Sequence, residues 1–158
     1  MTNHNQQLLE SAQSGDLKKI LLALESGADV NCLDEHGSNS LHIATQNNCI
    51  EIVEALIAAK ININALTPDG WTAMHFAAVR GYEEIAKMLI EAGIDVRVAG
   101  LRYKRTALHY AADQGRSNVV YLLLNAGADK NAADIENHTP IFLAERKGYE
   151  ETAQLLRS

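Results

Sequence analysis

The chain has 158 residues, 47% of them hydrophobic but only 5% aromatic, so a single core must be built mainly from Leu, Ile, Val and Ala, which favours helices over a β-sandwich or barrel. A formal charge of -6 argues against nonspecific nucleic-acid binding, which needs a predominantly basic face. Met1 to Glu10 lacks a signal-peptide pattern and no stretch approaches the roughly 20 apolar residues of a membrane span, so a cytoplasmic protein without membrane contact is expected, with Cys32 and Cys49 as reduced thiols.

In chain order the sequence reads as one domain of five helical hairpins, at about 5–33, 34–66, 67–100, 101–133 and 134–158. The first ends on Gly27-Ala28-Asp29-Val30-Asn31 and carries Lys19 where later units have Ile52, Ile85 and Val119. The second opens its first helix with Ser40-Leu41-His42-Ile43-Ala44, stripes its second with Ile52-Val53-Leu56-Ile57 and returns through Lys60-Ile61-Asn62-Ile63-Asn64. The third repeats the scheme with Ala73-Met74-His75-Phe76-Ala77, Ile85-Ala86-Leu89-Ile90 and Gly93-Ile94-Asp95-Val96-Arg97. The fourth has Ala107-Leu108-His109-Tyr110-Ala111, Val119-Val120-Leu123-Leu124 and Gly127-Ala128-Asp129-Lys130-Asn131. The fifth starts its first helix with Pro140-Ile141-Phe142-Leu143-Ala144. From His42 the steps to His75, His109 and Phe142 are 33, 34 and 33 residues, and the return-loop motif keeps the same period.

Local chemistry fits this division. Thr72, Thr106 and Thr139 are placed as N-caps that accept a backbone N–H, with Pro140 at the first helical position. Gly15, Gly81, Gly115 and Gly148, with Asn48 in the second unit, fall between paired helices. Gly70 and Asn137 stand in opening turns, and all suit a left-handed residue. Lys60 and Lys104 replace Gly at two such places, where local distortion is expected. Glu83-Glu84 and Glu150-Glu151 suit the positive ends of second helices. Lys19, Thr152 and Arg157 at otherwise apolar positions read as polar outer faces of end units, so the array is expected to be complete.

The Thr106-Ala107-Leu108-His109-Tyr110-Ala111 and Thr139-Pro140-Ile141-Phe142-Leu143-Ala144 segments, at this period, resemble the T-P-L-H-x-A signature of the ankyrin-repeat family. The resemblance covers nearly the whole chain. It implies an all-α solenoid of stacked hairpins that binds another protein through a concave face of turn tips and first helices. By register, that face comprises Glu35, His36, Ser38, Gln46 and Asn47 in the second unit and Asp69, Trp71, Val79 and Arg80 in the third. The fourth contributes Arg102, Tyr103, Arg105, Asp113 and Gln114; the fifth contributes Ile135, Glu136, His138, Arg146 and Lys147.

Trp71, the only Trp, falls on a tip, and Leu101-Arg102-Tyr103-Lys104-Arg105 puts three positive charges on the next. Trp, Tyr and Arg are enriched in interface hot spots. The expected ligand is a protein segment, acidic or phosphorylated, held by Arg contacts around an aromatic anchor in units three to five. The competing expectation is that the cations are solvated and Trp71 packs on a neighbouring tip. The binder is expected to be monomeric by itself. Secreted-effector and regulatory-inhibitor roles would use the same surface, and nucleic-acid binding through the basic tips is the weaker alternative.

No phosphate-binding, zinc-protease, hydrolase or dinucleotide motif is present. No catalytic residue, cofactor or metal is therefore expected. Histidines on successive hairpins about 8–10 Å apart cannot share one ion, and the resemblance implies that His42, His75 and His109 tie each unit to its neighbour. Cys49 reads as inert. The resemblance also makes Asn31, Asn64 and Asn131 candidates for hydroxylation, against the simpler reading that each bonds within its turn.

Overall fold

A computed structural model of the chain describes residues 3–158. Among these residues ten helices follow one another as five hairpins: α1 (Asn3–Ser14) with α2 (Leu17–Glu25), α3 (Ser40–Gln46) with α4 (Ile50–Ala58), α5 (Ala73–Arg80) with α6 (Glu83–Glu91), α7 (Ala107–Asp113) with α8 (Ser117–Asn125), and α9 (Pro140–Lys147) with α10 (Glu150–Arg157). Odd-numbered helices pack in one row and even-numbered helices in a second, each touching its hairpin partner and its counterparts in adjacent hairpins. No helix among the described residues is long and apolar enough to cross a membrane.

From α2 onward the helices have seven to nine residues, too short to persist alone in water. Burial between neighbours holds them. Ile52, Val53 and Leu56 on α4, Ile85, Ala86 and Leu89 on α6, and Val119, Val120 and Leu123 on α8 are all at most 2% exposed, which makes the even row the spine of a continuous core. The small residues Ala44, Ala77, Ala78, Ala111 and Ala112 are fully buried on the odd row and let those helices approach closely.

The caps differ from the sequence expectation in detail. Thr139 Oγ1 does accept the Phe142 N–H, at 3.4 Å, and Asn39 takes this role in the second unit, accepting from His42 N–H at 3.0 Å. At Thr72 and Thr106 the hydroxyl stands in a capping box with the third helical residue and also lies 3.0 and 2.9 Å from Nδ1 of His75 and His109. The same ring nitrogen accepts the N–H of the capping residue, at 3.1 Å in both cases. Imidazole thus does what a carboxylate does in an ordinary capping box.

No distortion appears at Lys60 or Lys104: both adopt the left-handed conformation, φ 63° and 51°, as do Asn48 and Asn137 at 56° and 60°. The turn is kept and the side chain bears the steric cost. Of the end residues, Lys19 is exposed and pairs with Asp16 at 3.2 Å. Arg157 bridges Glu145 at 2.7 Å and Glu150 at 2.8 Å, giving the outer side of the fifth hairpin a polar cover. Thr152 does not belong to that cover. It is 1% exposed and bonds the Ser117 hydroxyl at 2.9 Å, because its helical position faces the preceding hairpin, as those of Ile85 and Val119 do.

Candidate functional site

Each hairpin after the first is entered through a projecting tip closed by a backbone hydrogen bond: Asp34 N–H to Ser38 O, Thr67 N–H to Trp71 O, Gly100 N–H to Arg105 O and Asp134 N–H to His138 O, all 2.8–3.0 Å. The first residue of three tips also organises the turn from its side chain. Asp34 Oδ1 accepts the N–H groups of His36 and Ser38, Thr67 Oγ1 accepts from Trp71, and Asp134 Oδ1 accepts from Glu136 and His138. Gly100 has no side chain for this, and its tip carries one residue more.

Adjacent tips are joined in part. Leu101 N–H donates to Asp69 O at 2.8 Å and Ile135 N–H to Tyr103 O at 2.9 Å. The corresponding residue on the third tip is Pro68, which has no N–H to give and rests its ring over Gly37.

The structure distributes the expected binding residues as follows. His36, Asp69, Arg102, Tyr103, Ile135 and Glu136 are exposed on tips, Ser38 is half-buried there, and Glu35 projects beside His36. Gln46 and Asn47 finish α3, Val79 and Arg80 finish α5, Asp113 and Gln114 finish α7, and Arg146 and Lys147 finish α9; all are exposed except the half-buried Val79 and Asp113. The tip residues thus stand at the N-terminal ends of the odd-numbered helices and the others at or just past their C-terminal ends.

Several do not present a free charge. Arg105 Nε donates to Asp134 Oδ2 at 2.8 Å, with the two side chains 16% and 1% exposed. Burial raises the Asp134 carboxyl, but the His138 N–H, the Arg105 guanidinium and the Glu136 N–H together hold it below its ordinary value. Arg146 and Lys147 reach Asp113 at 3.4 and 3.9 Å. Arg102 and Lys104 are exposed with no carboxylate within ion-pair distance among the described residues, and Arg102 lies 5.1 Å over the Tyr103 ring.

Trp71 is half-buried. Its ring sits 4.7 Å from Tyr110, 5.0 Å from Phe76 and 5.6 Å from His75, and a Cβ on Gly100 would meet it at 3.0 Å. Packing on the neighbouring tip is thus one of its roles. Its remaining face borders a cavity of about 330 Å³ between the second and third tips, walled by Pro68, Trp71 and Phe76 and rimmed by His36, Ser38, Thr67 and Asp69.

The three repeated histidines are buried and do not converge. With Nδ1 accepting an N–H, the ring proton stands on Nε2, which donates to Ala65 O from His42 at 3.0 Å and to His138 O from His109 at 3.1 Å. His75 departs from this: the Val98 and Arg105 carbonyls face its Nε2, but no hydrogen bond closes. Burial pushes all three imidazoles down, His75 to about 4. Each is neutral at physiological pH.

Asp134, Glu136 and His138 bring potential ligand atoms within 4.8 Å of one another. Asp134 is already saturated by Arg105 and two N–H groups, so a cation there would have to displace a guanidinium; the arrangement builds the tip. Cys32 and Cys49 are free thiols, both pushed up by burial, the opposite of an activated nucleophile. Asn31 Oδ1 accepts Asn62 N–H at 2.7 Å and Asn64 Oδ1 accepts Asp95 N–H at 2.8 Å, so these residues tie one return loop to the next rather than bonding only within their own turns.

Sequence reasoning missed Asp34, Thr67 and Asp134 as tip organisers, although their shared place in the period marks them. It also missed the Arg105–Asp134 pair, for which a 29-residue separation leaves no local signal. The family model for ankyrin repeats, in three copies, matches residues 8–100 and 97–158. No curated relative matches the chain.

Proposed function

The chain belongs to the ankyrin-repeat family, and from that premise we propose that it is a non-enzymatic module that holds a partner protein against its tips and first helices. Ankyrin repeats are generally protein-interaction modules, and fold alone names no partner. One observation carries the assignment to this face: Leu101, Tyr103 and Ile135 stand on tips and Leu33 and Leu66 immediately precede two others, together half of the large apolar side chains left exposed among the described residues, with Leu101 72% exposed. Apolar surface concentrated on one edge marks a docking site more than scattered exposure does. Beside it lie the unpaired Arg102 and Lys104 for an acidic or phosphorylated group and Trp71 as the aromatic anchor.

Nucleic-acid binding is the weaker reading. Beyond the net charge of -6, Arg105, Arg146 and Lys147 are matched by carboxylates, so little of the basic edge is available for phosphate neutralisation.

The test is affinity purification from the native cell with the wild type, Trp71→Ala/Arg102→Ala, and Arg102→Ala/Lys104→Ala, the last sparing the Trp71 packing. Recovery of one protein that falls several-fold in both variants supports the reading. Equal recovery in all three removes this face from consideration.

A further inference from the structure

The tip edge is electrostatically divided at the third unit. The cavity between the second and third tips has an apolar wall of Pro68, Trp71 and Phe76, and its volume of about 330 Å³ lies at the small end of binding pockets, suited to one inserted side chain. At its mouth is the Asp69 carboxylate, exposed and meeting no Lys or Arg among the described residues. On the second tip Glu35, 87% exposed, stands beside the lining residue His36, which it faces at 3.6 Å. One unit further along the same edge the sign reverses at Arg102 and Lys104. The two tips are held together by the bond from Leu101 N–H to Asp69 O at 2.8 Å, so the acidic mouth and the basic tip keep a constant separation.

Resting on the reading of this edge as the protein-binding face, we propose that its occupant is an extended, dipolar segment of a partner protein. An apolar side chain fills the cavity, an adjacent Lys or Arg meets Asp69 and Glu35, and an acidic side chain reaches Arg102. Charge complementarity selects this occupant over a uniformly acidic one, which would have to lay negative charge across Asp69 and Glu35. Adjacent hairpins are spaced about 10 Å apart and extended chain advances about 3.3 Å per residue. Arg102 lies about one and a half spacings from a cavity set between the second and third tips, so the acidic side chain follows the apolar anchor by about four or five residues, in whichever chain direction the segment runs. Main-chain direction is left free because recognition is by side chains.

The probe is a displayed library of random 12-residue peptides selected on the full chain, followed by titration of the enriched peptides as synthetic, end-blocked molecules. Trp71, the only tryptophan, reports cavity occupation by its emission. The enriched peptides are expected to share an apolar residue flanked by Lys or Arg, with Asp or Glu about four or five positions away, and to lose at least tenfold in affinity on Asp69→Lys. A peptide with its basic and acidic residues exchanged should bind Asp69→Lys/Arg102→Glu and not the wild type. Both positions are exposed, and unchanged circular dichroism and melting confirm that the variants fold. Uniformly acidic peptides sensitive to Arg102→Glu but not to Asp69→Lys would overturn the dipolar segment and leave this edge standing as the binding face. Peptides insensitive to both changes, with no response of Trp71, would remove both readings. Absence of enrichment counts against the dipolar segment and leaves the binding face to partner capture from the cell.

Discussion

The joint between the second and third hairpins and the joint between the third and fourth use different chemistry for the same stacking. At the first, Asn64 Oδ1 accepts Asp95 N–H across the return loops, His42 donates to Ala65 O, and the tips lack a main-chain bond because Pro68 stands where an N–H is needed. At the second, Arg97 stands in the Asn position and turns back onto Asp95 at 3.0 Å, and His75 closes no bond to the facing carbonyls. The tips are instead tied by Leu101 N–H, and Trp71 lies among Tyr110, Phe76 and Gly100. Polar links that are directional but worth only about 1 kcal/mol each are exchanged for aromatic burial, which has larger yield and looser geometry. The lesson is that a repeat's register is a property of the stack, and individual links can be traded. The trade also delivers a tryptophan to the tip edge.

Lowering the pH should expose the largest asymmetry. His75 stands at about 4 in the folded chain against 6.5 as a free group, so the unfolded chain takes up the proton first as pH falls. Stability is then fully present above about pH 6.5 and lost as pH drops toward about 4, by roughly 3 kcal/mol at most for this group at 1.36 kcal/mol per pKa unit. Urea unfolding across this range should show a shallower acid slope for His75→Gln than for His42→Gln, since the Asp34 carboxylate opposes the depression of His42 and no carboxylate does so at His75. Equal slopes would mean that the two joints respond alike.

Trp71→Ala comes next. Truncating a half-buried Trp should cost about 2–3 kcal/mol, below the 3–5 kcal/mol of a fully buried one, read as a lower urea midpoint. A loss under about 1 kcal/mol would show that the ring does not hold the third joint. Asn64→Ala should cost about 1 kcal/mol through the bond lost to Asp95 N–H, while Asn131→Ala, whose side chain spans no further loop among the described residues, should cost little. Thermal melts of the pair decide it. The smallest effect is a gain: Arg97→Asn restores an acceptor to the broken ladder and should raise stability by up to about 1 kcal/mol. A loss on that substitution would show that the Arg97–Asp95 pair contributes more than the ladder it displaced.

Much of the fold was legible in the residues. The His-to-His steps, the Gly and Asn turns and the Ile/Leu/Val stripes of α4, α6 and α8 report local conformation and burial, and these repeat wherever the local environment repeats. The same logic misled at Thr152, where an outward polar residue was expected and a buried hydroxyl pair with Ser117 was found, because composition marks polarity but not the direction a helix face looks. Lys60 and Lys104 taught the converse: a turn imposed by its neighbours persists where the residue is poorly suited to it.

The tip positions were legible in the period, and the pairing of their charges was not. Arg102 and Arg105 are equivalent in the sequence, yet one stands free over Tyr103 and the other is neutralised by Asp134, a residue 29 positions away. Sequence determined the period, the hairpins and the places of the tips within them, since those follow from interactions within a few residues. Which cations remain unpaired, what Trp71 touches and which side chains border the cavity were decided by tertiary structure alone. Ion pairing and pocket shape depend on side chains from adjacent units meeting within a few ångströms, and only the stacking distance and tip conformation bring that about.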